Sequence, residues 1–313
     1  MRRARSVGAV MAVVAVTLPL VLPIARVPGP GTLFAGRFAE GLSMQVVAHP
    51  DDDLLFMSPD LEKLVAKGGR SVTVYLTAGE SVAGLKDDRN PRRYAAARER
   101  GVRAAYAWVA GARDRWRRKM LRRGPIQVAE DTLVDRPWIK LVFARLPDGG
   151  DPRAKGGRGS LTRLWDDSTG QTCVHAFASG PECLTRENVL DMLRAMMRTF
   201  HPTVLRTLDP DPPPVGRDHV DHIAAARFAA EAAPHGIDVI AYRGYTIESL
   251  PPNLDPVERE VKRKAFAIYR QHDYRIGSGR RYDIWVKRMY LRWPDNLVAH
   301  KVARPEATPA GER

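Results

Sequence analysis

Short apolar runs alternate with helical stretches along this chain, and that alternation predicts an α/β, Rossmann-like fold. The expected core is a mainly parallel sheet with helices on both faces. Two observations add to this. Ser43–Ala48 and Ser71–Thr77 are β-branched-rich runs of the kind found in strands buried on both sides. Two clusters rich in aspartate and histidine each follow such a run, where a parallel sheet collects its ligands beyond the C-terminal strand ends.

The first residues stand apart. Arg2, Arg3 and Arg5 precede an uncharged, mostly apolar run from Val7 to Ile24, and Arg26 follows it. This is the charged and apolar layout of an export signal. At 18 residues the run approaches the length of a bilayer span, so an uncleaved anchor remains open, although Pro19 and Pro23 weaken a continuous helix. The chain is expected to be secreted or held at the outer face of the cytoplasmic membrane. Val27–Thr32 reads as a linker that completes segment 1–32, with one domain over 33–300 and a disordered tail over 301–313.

Within the domain, strands are expected at Ser43–Ala48, Ser71–Thr77, Trp138–Arg145, Thr203–Leu208 and Asp238–Tyr245. Helices are expected at Asp60–Lys67, Pro91–Val109, Arg186–Phe200, His219–Ala233 and Pro256–Gln271. Pro91 suits a first helical turn. Val189, Leu190, Leu193, Met196 and Met197 recur at helical spacing, so these methionines read as core filler. Gly149–Pro181 lacks periodicity and reads as a loop insertion, pinned at Cys183.

At 313 residues with 44% hydrophobic and 7% aromatic content, the composition is that of a soluble globular protein. The formal charge is +14, of which Arg2, Arg3 and Arg5 supply three, leaving +11 on a cleaved chain. Much of it is concentrated in Arg113–Arg123. That segment is either a solvated basic loop or helix face, or a patch drawn to an anionic cell-envelope surface. No nucleic-acid recognition motif accompanies it. Cys173 and Cys183 are the only cysteines; in an oxidising compartment they are expected to form a disulfide. Their spacing matches no common zinc pattern.

The chemistry concentrates in His49-Pro50-Asp51-Asp52-Asp53 and in Asp218-His219-Val220-Asp221-His222. Carboxylates beside an apolar strand are costly unless a cation neutralises them. The step from His49 to Asp52 lets both reach one ion, and His222 completes a His–Asp–His set with an open position. Zinc in that set activates a bound water, which leaves Asp51 as a base and His219 as the group that stabilises an oxyanion or protonates a leaving amine. Plainer roles stay open for two neighbours. Asp218 suits an N-cap for a helix beginning at His219, and Asp53 suits a helix N-terminus.

Ala48-His49-Pro50-Asp51-Asp52-Asp53 together with His219-Val220-Asp221-His222 resembles the PIG-L (LmbE-like) zinc-dependent N-deacetylases, which act on N-acetylglucosamine units and related amides. The likeness extends to Leu76–Glu80, to Arg98 and to the helix around Lys264–Tyr269. It implies zinc ligands at His49, Asp52 and His222, a general base at Asp51, and His219 at the tetrahedral intermediate, oriented by Asp221. It also implies a substrate contact at Arg98. Asp53 replaces the glutamate that usually ends the first motif. Gly101 stands where a glutamate often follows the arginine. The expected activity is hydrolysis of an N-acetyl group from an N-acetylglucosamine-containing substrate, with metal-bound water as nucleophile. The alternative is a non-catalytic carbohydrate-binding protein on the same fold. A phosphoesterase with two metals would need more ligands than these motifs offer.

Overall fold

The computed structural model describes residues 41–83, 89–150, 160–177, 182–214, 217–276 and 282–292. The expected export segment and tail lie outside these. A single sheet of seven strands runs in the order β3-β4-β5-β2-β1-β6-β7. Its strands are β1 (Leu42–Val47), β2 (Arg70–Thr77), β3 (Trp116–Arg123), β4 (Ile126–Leu133), β5 (Ile139–Leu146), β6 (Val204–Leu208) and β7 (Asp238–Tyr242). Five of them, β5, β2, β1, β6 and β7, run parallel to one another, as the sequence predicts, while β4 is antiparallel to both β5 and β3. β1 is buried along its whole length, which explains why it reads as a continuous run.

Helices cover both faces. On one side, α4 (Ser160–Asp166), α5 (Arg186–Phe200) and α6 (Val220–Ala232) enclose a core containing Met44, Val72, Leu193 and Phe228. On the other, α1 (Asp52–Phe56), α2 (Asp60–Ala66), α3 (Pro91–Val109), α7 (Pro256–Arg270) and α8 (Asp283–Val286) enclose Phe56, Tyr75, Phe143 and Phe266. The cap residues explain several boundaries. Asn90 accepts from Arg93 N ahead of Pro91, and Asp255 forms a capping box with Glu258 ahead of Pro256. Among the described residues, no helix is long and apolar enough to cross a membrane.

The antiparallel pair β3–β4 is a correction to the sequence reading. Most of Arg113–Arg123 is the edge strand β3, not a loop or helix face. Most of its arginines pair with acids and the strand does not alternate with apolar residues, so the usual strand signal is missing. Arg118 binds Asp131 and Glu99, Arg123 binds Glu130, and Arg113 and Arg115 bind Asp135. The expected insertion also contains structure: α4 and an antiparallel bridge between Val174 and Leu184. Cys173 and Cys183 flank that bridge and are disulfide-bonded.

Candidate metal centre

The end of β1 carries the first motif into place. Thr77 N and Oγ1 both donate to the Ala48 carbonyl, at 2.9 and 2.8 Å, which fixes the strand end beside β2. Asp51 N and Asp52 N then turn back onto the His49 carbonyl at 2.9 and 3.3 Å. The turn brings Asp52 under its histidine: His49 N donates to Asp52 Oδ2 at 2.7 Å, and His49 Nδ1 lies 3.3 Å from the same oxygen. α6 supplies the third group. His222 is fully buried, with Nε2 3.0 Å from Asp52 Oδ1. Asp52 therefore sits between two imidazoles 173 residues apart in the chain, His49 and His222.

Each imidazole meets a second carboxylate on its other nitrogen. His222 Nδ1 is 2.8 Å from Asp218 Oδ1, and His49 Nε2 is 3.7 Å from Asp148 Oδ2. Such carboxylates fix ring orientation and raise ligand basicity. Asp218 is thus not the helix cap; His219 is, accepting from Asp221 N at 3.2 Å. Asp218 Oδ1 also accepts from His219 N and Tyr245 N, at 2.8 and 3.0 Å. Asp148 is absent from the sequence reading. It follows β5 just as His49 follows β1, and Glu80 accepts from its N–H at 2.9 Å.

Asp51 faces the other way. Its Oδ1 accepts from Arg98 Nη2 at 2.6 Å, and both residues are buried. Arg98 also donates to the carbonyls of Gly79 (2.6 Å) and Pro50 (3.2 Å) and to Tyr269 Oη (2.7 Å). Where a substrate contact was expected of Arg98, each of its nitrogens has a protein partner. Gly79, at φ +64°, makes room for it, since a Cβ there would stand 2.3 Å from Arg98 Nη1. Gly101 has a similar reason. A Cβ there would lie 2.7 Å from the Tyr269 ring and 2.8 Å from its carbonyl oxygen. A glutamate at 101 would push α7 away from α3.

The remaining motif residues have distinct places. His219 packs edge-on against His49, with ring centroids 4.8 Å apart. Asp221 Oδ1 accepts from Thr162 N and Oγ1 at 3.0 and 2.7 Å, so its carboxylate is held by α4, while its backbone N–H is what bonds the His219 ring. Asp53 is fully buried and accepts from Tyr75 Oη (2.9 Å) and Tyr106 Oη (2.7 Å). It anchors α1 to β2 and α3, a role beyond the helix N-terminus expected of it.

Electrostatics separates the adjacent aspartates. Burial alone would raise Asp52, but His222 and His49 hold it well below the usual carboxylate range. Burial pushes Asp51 up to about 7 despite Arg98. Burial opposes charge on both histidines, yet Asp52 and Asp148 raise His49 to about 9, and Asp52 and Asp218 raise His222 well above its ordinary value. So much negative charge around two imidazoles is what a divalent cation neutralises in place of protons.

The donor set fits zinc. His222 Nε2 is buried without a well-aligned hydrogen-bond partner, although Asp52 lies close. Ligand atoms on a tetrahedral zinc stand about 3.3 Å apart. Asp52 Oδ1 stands 3.0 Å from His222 Nε2 and 3.4 Å from His49 Nδ1, separations of that size. One ring nitrogen each from His49, His219 and His222 lie within 4.8 Å of one another, as do ligand atoms of His49, Asp148 and Asp221.

Residues 44–233 match the family model described as PIG-L: GlcNAc-PI de-N-acetylase. A search of curated proteins returns no match. Among solved structures, the N,N'-diacetylchitobiose deacetylase of Pyrococcus horikoshii is 17% identical, with 74% of this chain and 70% of that one covered and a TM-score of 0.44. The zinc-inhibited form of the teicoplanin deacetylase Orf2 is 16% identical, covering 79% of this chain and 89% of that one, also at 0.44. The 4-carboxy-2-hydroxymuconate hydratase GalB from Pseudomonas putida KT2440 is 14% identical, covering 75% and 84%, at 0.42.

Proposed function

The chain belongs to the PIG-L family, whose model spans more than half of it, and from that premise we propose that it is a zinc-dependent N-deacetylase. Its substrate is an N-acetylglucosamine-containing molecule, from which it releases acetate and leaves a free amine. The observation that carries this proposal is the division of labour between Asp51 and Asp52. Asp52 lies between His49 and His222, while its neighbour Asp51 meets an arginine and stays near neutrality.

His49, Asp52 and His222 would hold the zinc. When bound, zinc supplies Lewis acidity, which brings a water's pKa toward neutrality and polarises the amide carbonyl. Asp51 is the base that accepts the proton of the attacking water, a task suited to a carboxylate poised near the working pH. His219 borders the site beside His49 and meets the negative charge that develops on the acetyl oxygen as the carbonyl becomes tetrahedral. Proton return to the nitrogen then frees the amine. Asp221 holds His219 through its backbone N–H, and α4 holds Asp221.

Residues 1–32 direct export in this proposal, so the substrate is met outside the cytoplasm. The test is acetate release from a panel of N-acetylglucosaminides, run with metal analysis. Activity that disappears in chelator and returns with zinc is expected. Full activity of metal-free protein would contradict the proposal.

A further inference from the structure

Arg98 is held from behind as firmly as it holds Asp51. Its Nε lies 3.1 Å from Asp273 Oδ2. The same carboxylate oxygen accepts from Tyr269 Oη at 2.8 Å. Asp273 Oδ1 accepts from Tyr94 Oη at 2.6 Å and from Arg275 N at 3.2 Å. Asp273 is 1% exposed, and it lies beyond the end of α7, forty residues past the matched family segment. A continuous buried line therefore runs from Tyr94 through Asp273 and Arg98 to Asp51.

We infer that Asp273 is a positioning residue for the general base, acting by aiming the Arg98 guanidinium at Asp51. The inference rests on the role proposed for Asp51 above. A guanidinium is planar and rigid, so fixing its Nε edge and one terminal nitrogen fixes the direction of the other. Asp273 and Tyr269 fix Nε, the Gly79 carbonyl fixes Nη1, and Nη2 is left directed at Asp51 Oδ1 and Pro50 O. Asp51 in turn has no protein donor other than Arg98 to its side chain among the hydrogen bonds of the described residues. The direction of Asp51 is thus set by a carboxylate that never touches substrate. The close α3–α7 approach that Gly101 permits is what brings Tyr269 and Asp273 within reach.

The experiment uses the full chain carrying Asp273→Asn, alone and combined with Asp51→Asn. The substitution places an N–H₂ or an uncharged oxygen where the Arg98 Nε needs an anion. Zinc content and KM for a soluble N-acetylglucosaminide are expected to stay near the parent values. The kcat is expected to fall about 10- to 100-fold, as misplacement of a reacting group does. In the Asp51→Asn background the same change should cost little further, because residues acting as a unit are not additive. An unchanged kcat, or an equal loss in both backgrounds, overturns the inference. If Asp273→Asn does not fold, Tyr94→Phe removes one bond from Asp273 and keeps its charge; zinc retained with a lowered kcat supports the role, and an unaltered kcat overturns it. A parent protein that releases no acetate would sink the proposed function instead. The inference is then decided by the crystal structure of Asp273→Asn or, if that variant does not fold, of Tyr94→Phe. Arg98 Nη2 displaced from Asp51 supports it, and an unmoved Arg98 overturns it.

Discussion

The two flanks of the site treat neighbouring aspartates in opposite ways. On the histidine flank, Asp52 lies between His49 and His222, whose other nitrogens face Asp148 and Asp218. On the arginine flank, Asp51 faces Arg98, which Asp273 and two tyrosine-bearing helices support. The first flank crowds three carboxylates around two imidazoles, a surplus of negative charge that calls for a cation. The second shares one cation between two carboxylates, and burial leaves Asp51 poised near neutrality. Residue type and sequence position do not distinguish the two aspartates. What each carboxylate faces does.

Breaking the histidine flank should have the largest effect. His222→Ala is expected to abolish zinc binding and turnover together, whereas His219→Ala should keep the metal and lose rate; metal analysis of both proteins checks this. Loss of metal in His219→Ala with retention in His222→Ala would exchange their roles. A smaller effect is expected from Asp218→Asn, which leaves His222 in place without its anionic partner. Zinc affinity should weaken about 10- to 100-fold, read by competition with a chelator.

Gly101→Ala sharpens the arginine flank. Alanine favours a helix by about 1 kcal/mol, but its Cβ meets the Tyr269 backbone, and overpacking costs roughly 1–3 kcal/mol. Reduced stability to denaturant, with a lowered kcat, is expected. The smallest effect should come from outside both flanks. Arg117 and Lys119 on β3 are exposed, so replacing both by Ser should leave turnover of a small soluble substrate unchanged. The same double variant tests whether β3 draws the chain to an anionic envelope surface, through a loss of salt-sensitive association. Arg118 and Arg123 are poor choices for that test, since they hold Glu99, Asp131 and Glu130.

How far the sequence could be read followed the range of the interactions. The parallel strands and their helices were legible, because burial on both faces writes continuous apolar runs. The histidine flank was legible too, since His49–Asp53 and His219–His222 are compact motifs at strand ends. Asp148 carried a usable signal: it follows the apolar run of β5 by the same rule. Asp273 carried none, because its meaning depends on α7 crossing α3 at Gly101. β3 and β4 were hidden for another reason. Arginines paired across strands with Glu130 and Asp131 replace the apolar alternation that marks most strands. The family likeness pointed to Arg98 as a substrate contact, and the structure gives its nitrogens protein partners.

Zinc content and turnover, measured side by side for Asp51→Asn and Asp52→Asn, decide whether the two aspartates divide ligand and base between them. Asp51→Asn should keep its zinc and lose about 100- to 10,000-fold in turnover, the usual contribution of a general base. Asp52→Asn should lose the metal itself. An Asp51→Asn protein emptied of zinc, beside an Asp52→Asn protein that retains it, would contradict the division of labour on which this account stands.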